Sequence, residues 1–170
     1  MKYSIPERYQ GVSYDDVPNN IRDAFEAGKG IYLWGGIGTG KTHIAYALQR
    51  HSQLPTSKRR AISINVVEIL KEIRDDIRRR PEEKERPLQT LMDYDGILIL
   101  DDIGVEKASE FVRETLYLLI NQRYNDMLPT IFTSNCSLDE LSNRLEDRIP
   151  SRIKGMCEII ELKGEDRRLK

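Results

Sequence analysis

The sequence has few cysteines and no long hydrophobic run, and both shortages limit the kind of protein it can be. Its two cysteines, Cys136 and Cys157, lie far apart and form no CxxC pair. A disulfide framework or a zinc site is therefore not expected, and a reducing compartment is the simplest environment. No stretch approaches the ~18 apolar residues of a membrane span, and the opening MKYSIPERYQ has no apolar signal core. We therefore expect a cytoplasmic protein without a membrane partner.

Neither sign of charge dominates the sequence. Lys and Arg number 27 against 28 Asp and Glu, which gives a net charge of -1. This balance argues against a generally basic nucleic-acid-binding surface but leaves room for a local basic patch. With 39% hydrophobic residues, a chain of 170 residues is expected to form one globular domain. We expect this single domain over residues 1–170, with 1–29 as an N-terminal linker segment and 30–170 as the core.

Short apolar runs alternate with segments of helical periodicity. The runs are typical of buried strands and cover residues 30–34, 61–64, 97–100, 130–133 and 158–162. Apolar residues at spacings of three and four define helix faces between them, namely Val66, Ile69, Leu70, Ile73 and Ile77, and then Val112, Leu116, Leu119 and Ile120. Ser137 and Glu140 form a capping box that predicts the start of a further helix. Apolar strands separated by helices predict a parallel α/β sheet covered on both faces.

The stretch GGIGTGKTH places four glycines within six positions directly after the first predicted strand. It matches the pattern G-x-x-x-x-G-K-[ST], in which backbone N–H groups wrap a triphosphate that side chains would keep away. Lys41 would contact the β- and γ-phosphates, and the Thr42 hydroxyl would bind Mg²⁺. A simple turn explains one glycine, but not four together with the Lys-Thr pair. The predicted ATP-binding loop consists of Gly35, Gly36, Ile37, Gly38, Thr39, Gly40, Lys41, Thr42 and His43.

Polar residues follow two further predicted strands. Asp101 and Asp102 come after the run at 97–100, and Asn135 follows the run at 130–133. Carboxyl ends of parallel strands meet at one edge, so these side chains are expected beside the glycine loop. Asp101 would hold Mg²⁺, Asp102 would orient and deprotonate a water, and Asn135 would hold that water or sense the γ-phosphate. Aspartates also end ordinary strands and asparagines form ordinary turns, so only the combination favours catalysis.

The segment DRIPSRI supplies two arginines, Arg148 and Arg152. In isolation they are best interpreted as surface charges. ATP hydrolysis, however, gains about 10³ to 10⁵ in rate from an arginine placed against the γ-phosphate, and the motifs above contain none. The two arginines are therefore candidates for that role.

Taken together and in their order, GGIGTGKTH, ILILDDIG, TSN followed by Leu-Asp-Glu-Leu, and DRIPSRI resemble the AAA+ domain of the DnaC/DnaI helicase loaders, relatives of DnaA and IstB. The opening IPERY is similar to the segment before the glycine loop in those loaders, so the resemblance covers nearly the whole chain. It implies a three-layer P-loop NTPase with a parallel five-stranded sheet of order 5-1-4-3-2, of the AAA+ type without a C-terminal lid domain. In that order Asn135 lies beside the γ-phosphate as the sensor I residue.

The same resemblance assigns roles to the arginines. Arg152 matches the arginine finger that completes the site of a neighbouring subunit, and Arg148 is the second candidate. Arg168 matches the sensor II arginine, although Arg167 stands where the family usually has an aromatic residue. The segment 66–91 corresponds to a helical insertion that lines a single-stranded DNA channel in related proteins. The basic runs at 58–60 and 78–80 either contribute to such a channel or form solvated charged faces.

The function implied by the resemblance is a slow, assembly-dependent ATPase in DNA replication. ATP or ADP and Mg²⁺ would be its ligands, a replicative helicase its partner, and the ATP interface its means of self-association, with single-stranded DNA as a further candidate ligand. An IstB-like transposition helper ATPase and a non-hydrolysing nucleotide-gated interaction module are the alternatives. A small-molecule kinase is disfavoured, because the sequence between Asp102 and Lys170 shows no clear extra segment for an acceptor pocket or a phosphate-covering lid.

One departure from the loaders concerns the N-terminus. The loaders usually carry an N-terminal domain that grips the helicase, whereas here the motifs begin almost at Met1 and no cysteine cluster precedes them. Either a longer protein has been shortened, or the chain is a naturally short relative that reaches its partner in another way.

Overall fold

The structure is a computed structural model that describes residues 3–105 and 108–164. Its strands are β1 (Gly30–Trp34), β2 (Ala61–Asn65), β3 (Ile97–Asp101), β4 (Thr130–Ser134) and β5 (Cys157–Glu161). Its α-helices are α1 (Asn19–Glu26), α2 (Lys41–Ser52), α3 (Val66–Ile77), α4 (Pro87–Met92), α5 (Glu110–Asn125), α6 (Leu138–Leu145) and α7 (Arg148–Met156). Short 3₁₀ turns occupy Glu7–Tyr9, Tyr14–Asp16 and Pro81–Glu83. All five predicted strands are present, with ends that differ by at most one residue.

The strands form one parallel sheet of order β2-β3-β4-β1-β5. Listed from β5 to β2, this is the predicted order 5-1-4-3-2. Strand β4 lies between β1 and β3, so the chain segments that follow these three strands meet near the centre of one sheet edge. We call this edge the carboxyl edge and the opposite one the amino edge.

Two apolar layers cover the sheet, because side chains along a strand point alternately to its two faces. In β3, Leu98 and Leu100 pack among the helices from α3 to α7. On the other face Ile97 and Ile99 pack with α1 and α2. The resulting arrangement of helix layer, sheet and helix layer confirms the three-layer α/β prediction.

The C-terminal end of α3 explains why one residue of its predicted apolar face is exposed. Val66, Ile69, Leu70 and Ile73 are buried as predicted, whereas the side chain of Ile77 is 59% exposed. Ile77 is the last residue of α3, so the chain turns away before another element can cover it. The predicted capping box at α6 is present, with Ser137 accepting from the Glu140 N–H and Glu140 accepting from the Ser137 N–H.

Within residues 1–29, where a linker segment is predicted, the described residues from 3 to 29 contribute to the core. Val17, Ile21 and Phe25 are buried in the same apolar cluster as β1 and α2. Upstream of α1, the chain lies along α2, since Gln49 Nε2 donates to the Tyr3 carbonyl at 2.9 Å. The guanidinium of Arg50 donates to the carbonyls of Gln10 and Val12. These contacts hold residues 3–17, the N-terminal strap, against the helix that follows the glycine loop.

The helices are short relative to a lipid bilayer. Even α5 has only 16 residues. Within residues 3–105 and 108–164, no helix combines the length and the apolar composition needed to cross a membrane.

Candidate functional site

An open cavity of about 420 Å³ lies at the carboxyl edge of the sheet. The glycine loop, the end of β3 and the end of β4 meet around it, and the N-terminal strap closes one side. Its lining residues are Arg8, Tyr9, Ile37, Gly38, Gly40, Lys41, Thr42, His43, Asp102 and Asn135. A larger cavity of about 730 Å³ opens at the amino edge, and no predicted site residue lines it. Most of the predicted glycine loop, together with Asp102 and Asn135, therefore lines the smaller cavity, whereas Gly35, Gly36, Thr39 and Asp101 do not line it.

The backbone of the glycine loop needs glycine for two different reasons. Gly38 and Gly40 adopt positive φ angles of 76° and 101°, a conformation that side chains with a Cβ disfavour. At Gly35, a Cβ would lie 2.3 Å from the carbonyl oxygen of Leu162. Gly40 is the N-cap of α2, and no side chain caps this helix end. Such helix ends bind anions, because the first-turn N–H groups and the helix dipole both favour negative charge.

Lys41 lies inside the loop that precedes it. Its side chain is 6% exposed, and its Nζ donates to the carbonyls of Gly35 at 2.9 Å and Gly36 at 2.7 Å. The Thr39 hydroxyl also donates to the Gly36 carbonyl, at 2.9 Å. The loop thus folds around its own lysine, which places a positive charge at the base of the cavity.

Asp101 is the centre of a small polar network beside the loop. One of its oxygens, Oδ1, accepts from the Thr133 hydroxyl at 2.6 Å and from the Thr42 hydroxyl at 3.1 Å. Burial raises the pKa of Asp101 above its usual value, and the nearby charge of Asp102 acts in the same direction. The two hydroxyl donors and the cation of Lys41 oppose that rise. Carboxylate and hydroxyl oxygens side by side are suitable ligands for a hard divalent cation.

Thr133 connects β4, which precedes Asn135, to the end of β3, where Asp101 and Asp102 lie. The Thr133 hydroxyl donates to Asp101. Its oxygen also accepts a hydrogen bond from the backbone N–H of Asp102, at 2.9 Å. Asp102 adopts a φ of 68°, which the chain tolerates here because Thr133 holds its N–H. Sequence reasoning did not single out Thr133. Its strand, β4, also contains the hydroxyl residues Thr130 and Ser134, so the sequence does not distinguish Thr133 from them.

Asn135 follows β4 and lines the cavity together with Asp102. Its neighbours are anchored on both sides. The Ser134 hydroxyl donates to the Ile103 carbonyl at 2.7 Å, and the Tyr32 hydroxyl donates to the Cys136 carbonyl at 2.8 Å. The amide is therefore carried on a fixed segment between β1 and β3, where the sheet order predicted it.

Neither Arg148 nor Arg152 lines the cavity of its own chain. Both lie on α7. The guanidinium of Arg152 faces α5, where its Nε donates to Asn121 Oδ1 at 2.5 Å. Arg168 lies outside the described residues. A further residue that the sequence did not mark as a site residue is Tyr9, whose ring stacks on Tyr46 of α2 with centroids 4.7 Å apart.

The two basic runs lie away from the cavity. The run at 58–60 precedes β2, and Arg60 Nη1 donates to the Ser52 carbonyl at 3.0 Å. The run at 78–80 follows α3, and Arg79 pairs with Glu85 at 2.8 Å. Both runs therefore make contacts within the chain, and their part in DNA binding stays a prediction.

Comparison with known proteins identifies the family. Residues 22–170 match the model of the IstB-like ATP binding proteins. The chain belongs to this family. It is 34% identical over 155 residues to the replicative helicase loader DnaI of Bacillus subtilis, across 83% of this chain and 48% of that protein. The chain spans about half the length of such curated relatives.

Solved structures agree with this assignment. The crystal structure of the DnaC helicase loader superposes with a TM-score of 0.80 at 27% identity, covering 93% of this chain and all of that one. AMPPCP-bound DnaA from Aquifex aeolicus superposes with a TM-score of 0.75 over 91% of this chain and 50% of that one. Its identity of 19% supports the shared fold alone. The resemblance to the DnaC/DnaI loaders and the P-loop AAA+ fold are thereby confirmed.

Proposed function

We propose that this chain is the AAA+ ATPase part of a replicative helicase loader, which hydrolyses ATP with Mg²⁺ between subunits of an oligomer. The observation that carries the proposal is the convergence of the glycine loop, Lys41, Asp102 and Asn135 on one cavity. DnaI and DnaC are replicative helicase loaders, and the similarity to them supports the loader role and a replicative helicase as partner.

In this proposal the triphosphate lies in the glycine loop at the start of α2. Backbone N–H groups of the loop contact its oxygens, and Lys41 places its charge against the outer phosphates. The part of the cavity lined by Arg8 and Tyr9 then remains for the nucleoside. The stacking of Tyr9 on Tyr46 holds that wall in place.

Thr42 and Asp101 would hold the magnesium ion. Their oxygens already lie within hydrogen-bond distance of each other, and both belong to the ligand types that Mg²⁺ prefers. Among the described residues, no cluster of three or more His, Cys, Asp or Glu could hold a metal. Two protein ligands are nevertheless enough for Mg²⁺, because this cation usually keeps several waters and takes its remaining ligands from substrate phosphates. When bound, Mg²⁺ neutralises charge on the β- and γ-phosphates.

Asp102 and Asn135 would act on the attacking water. Asp102 accepts a proton from it, and Asn135 orients it through a hydrogen bond. The hydrogen bond from the Asp102 N–H to Thr133 fixes the backbone that carries the base. Arg152, which does not line its own chain's cavity, would act on the nucleotide of a neighbouring subunit.

Assembly-dependent hydrolysis is the experimental signature of this proposal. The ATPase rate per chain should rise steeply with protein concentration, because each site needs the arginine of a neighbour. Phosphate release is measured over a dilution series beside sedimentation of the same samples, with and without single-stranded DNA. Arg152→Ala is the control and should keep the low rate of dilute protein throughout. A rate per chain that is already maximal in samples that sediment as monomers, or that does not rise when the protein assembles, would contradict the proposal.

Thr133→Val should weaken the response to magnesium selectively. The change keeps the shape of the side chain but removes one donor to Asp101 and the acceptor for the Asp102 N–H. Loss of that donor raises the pKa of Asp101 further, so the ionised form that binds Mg²⁺ is reached only at higher pH. We expect roughly tenfold more Mg²⁺ for half-maximal ATPase, which corresponds to about one lost hydrogen bond to a charged group.

Magnesium titrations of ATPase at several pH values measure this effect. The matched control is Thr115→Val, the same change at a buried threonine of α5 outside the cavity. Identical magnesium and pH dependence in wild type and Thr133→Val would show that Thr133 does not tune Asp101.

A transposition helper is the second candidate, and the match to the IstB-like family favours it. It would use the same site with a different partner. Binding of the purified chain to a replicative helicase supports the loader, whereas binding to a transposase supports the helper. A non-hydrolysing interaction module would bind ATP and its partner without stimulated phosphate release, a result that would remove both ATPase candidates.

A further inference from the structure

Arg152 is held in one orientation by two residues of α5. Its Nε donates to Asn121 Oδ1 at 2.5 Å, and its Nη2 donates to the Tyr117 hydroxyl at 3.1 Å. The Tyr117 ring also lies under the guanidinium, with Cζ 4.9 Å from the ring centroid. On its own helix, Nη1 donates to the Arg148 carbonyl at 3.1 Å. The plane and the direction of the guanidinium are therefore both fixed.

These contacts leave the guanidinium able to bind a phosphate. A guanidinium has five N–H groups, and the three hydrogen bonds use one on each nitrogen. A forked contact to phosphate oxygens requires two donors, which the terminal nitrogens still supply. Arg152 is half-buried rather than enclosed, so an external acceptor can reach it.

Apolar packing between α5 and α7 does not by itself explain why Tyr117 and Asn121 contact Arg152. Helices α5 and α7 already share apolar contacts, since Leu116, Ile120, Ile149 and Ile153 are buried in one cluster. Tyr117 and Asn121 are four residues apart and therefore lie on the same face of α5. Both present oxygen acceptors to a single side chain. This arrangement is suited to orienting a long, flexible cation before it is needed.

We infer that Tyr117 and Asn121 are positioning residues for Arg152, which hold it ready to complete the nucleotide site of a second copy of this chain. The inference rests on the proposed function, because it assumes that Arg152 acts between subunits. It adds that the catalytic competence of one chain's site depends on two α5 residues of its neighbour.

Mixed assemblies separate the chain that gives the arginine from the chain that uses it. A Lys41→Ala chain should not bind nucleotide productively but still offers Arg152, and we call it the donor. An Arg152→Ala chain keeps its nucleotide site but offers no arginine, and we call it the acceptor. Neither should hydrolyse ATP efficiently alone, whereas their mixture contains interfaces with both functions and should recover activity.

Asn121→Ala is then introduced into one member of the mixture at a time. On the donor it should lower kcat roughly 10- to 100-fold, since a misplaced catalytic group loses about that much, and leave KM for ATP unchanged. On the acceptor, which lacks Arg152, it should change neither. Tyr117→Phe on the donor removes the hydroxyl, retains the ring and should give a smaller loss. Asn125→Ala and Tyr124→Phe, exposed positions of the same helix, are the matched controls on the donor.

The outcomes distinguish the inference from the proposed function. No recovery in the parental mixture would overturn both. Recovery that Asn121→Ala and Tyr117→Phe on the donor leave unaffected would overturn the inference alone. An equal loss with Asn121→Ala on donor and acceptor would assign these residues a structural role, and it would also overturn the inference. Melting temperatures of each chain show whether a loss of activity arises from unfolding. If Asn121→Ala unfolds the donor, the milder change Tyr117→Phe decides between the outcomes.

Discussion

Lys41→Ala is expected to lower the affinity for ATP at least about 100-fold. In the proposed complex Nζ contacts two phosphate oxygens, and each hydrogen bond to a charged group contributes about 1.5–3 kcal/mol. Two such contacts exceed the roughly 2.8 kcal/mol that corresponds to a factor of 100. The substitution also removes the donor that Gly35 and Gly36 share, so the loop loses its internal support as well.

Binding of a fluorescent ATP analogue to wild type and variant measures this loss directly. Lys29→Ala is the matched control. Lys29 is an exposed lysine just before β1, at the amino edge, whereas the glycine loop follows the other end of this strand. The affinity of this control should equal that of wild type. An unchanged affinity in a folded Lys41→Ala protein would place the nucleotide elsewhere and remove the basis of the proposed function.

The sheet and the main site elements could be predicted because local signals define them. Each strand is a short apolar run, and the glycine loop is a contiguous motif whose backbone demands are visible residue by residue. Parallel strands then force the ends of β3 and β4 to one edge, which brings Asp102 and Asn135 to the cavity beside the loop. The sheet order itself came from the resemblance to the loaders, since periodicity does not specify which strands are neighbours.

Residues that act through long-range contacts could not be predicted in this way. Thr133 matters because its hydroxyl reaches across to β3, and nothing in its own segment shows that direction. Arg8 and Tyr9 reach the cavity because the N-terminal strap packs along α2. Arginine is usually a surface residue, yet Arg123 is fully buried. Its guanidinium donates to the Thr130 hydroxyl and to four backbone carbonyls. Burial lowers its pKa to about 10.

Asp102→Asn is expected to slow ATP hydrolysis about 10²- to 10⁴-fold, the usual contribution of a general base, while ATP still binds. The amide has the size of the carboxylate but cannot accept a proton from water. Asparagine also tolerates the positive φ of 68° at this position, so the backbone bonded to Thr133 should persist. The substitution therefore separates proton transfer from the positioning of the loop, which a change to alanine would not.

Single-turnover phosphate release and nucleotide affinity, measured on the same preparation, give the two quantities. Asp95→Asn is the matched control, an exposed aspartate before the start of the same strand, β3, and it should hydrolyse ATP at the wild-type rate. Because removal of a negative charge beside Asp101 also lowers the pKa of that carboxyl, magnesium should bind at least as well in Asp102→Asn. Slow hydrolysis with intact ATP and Mg²⁺ binding would identify Asp102 as the base. A variant that hydrolyses at the wild-type rate would instead leave Asp102 outside the chemistry and require another group to activate the water.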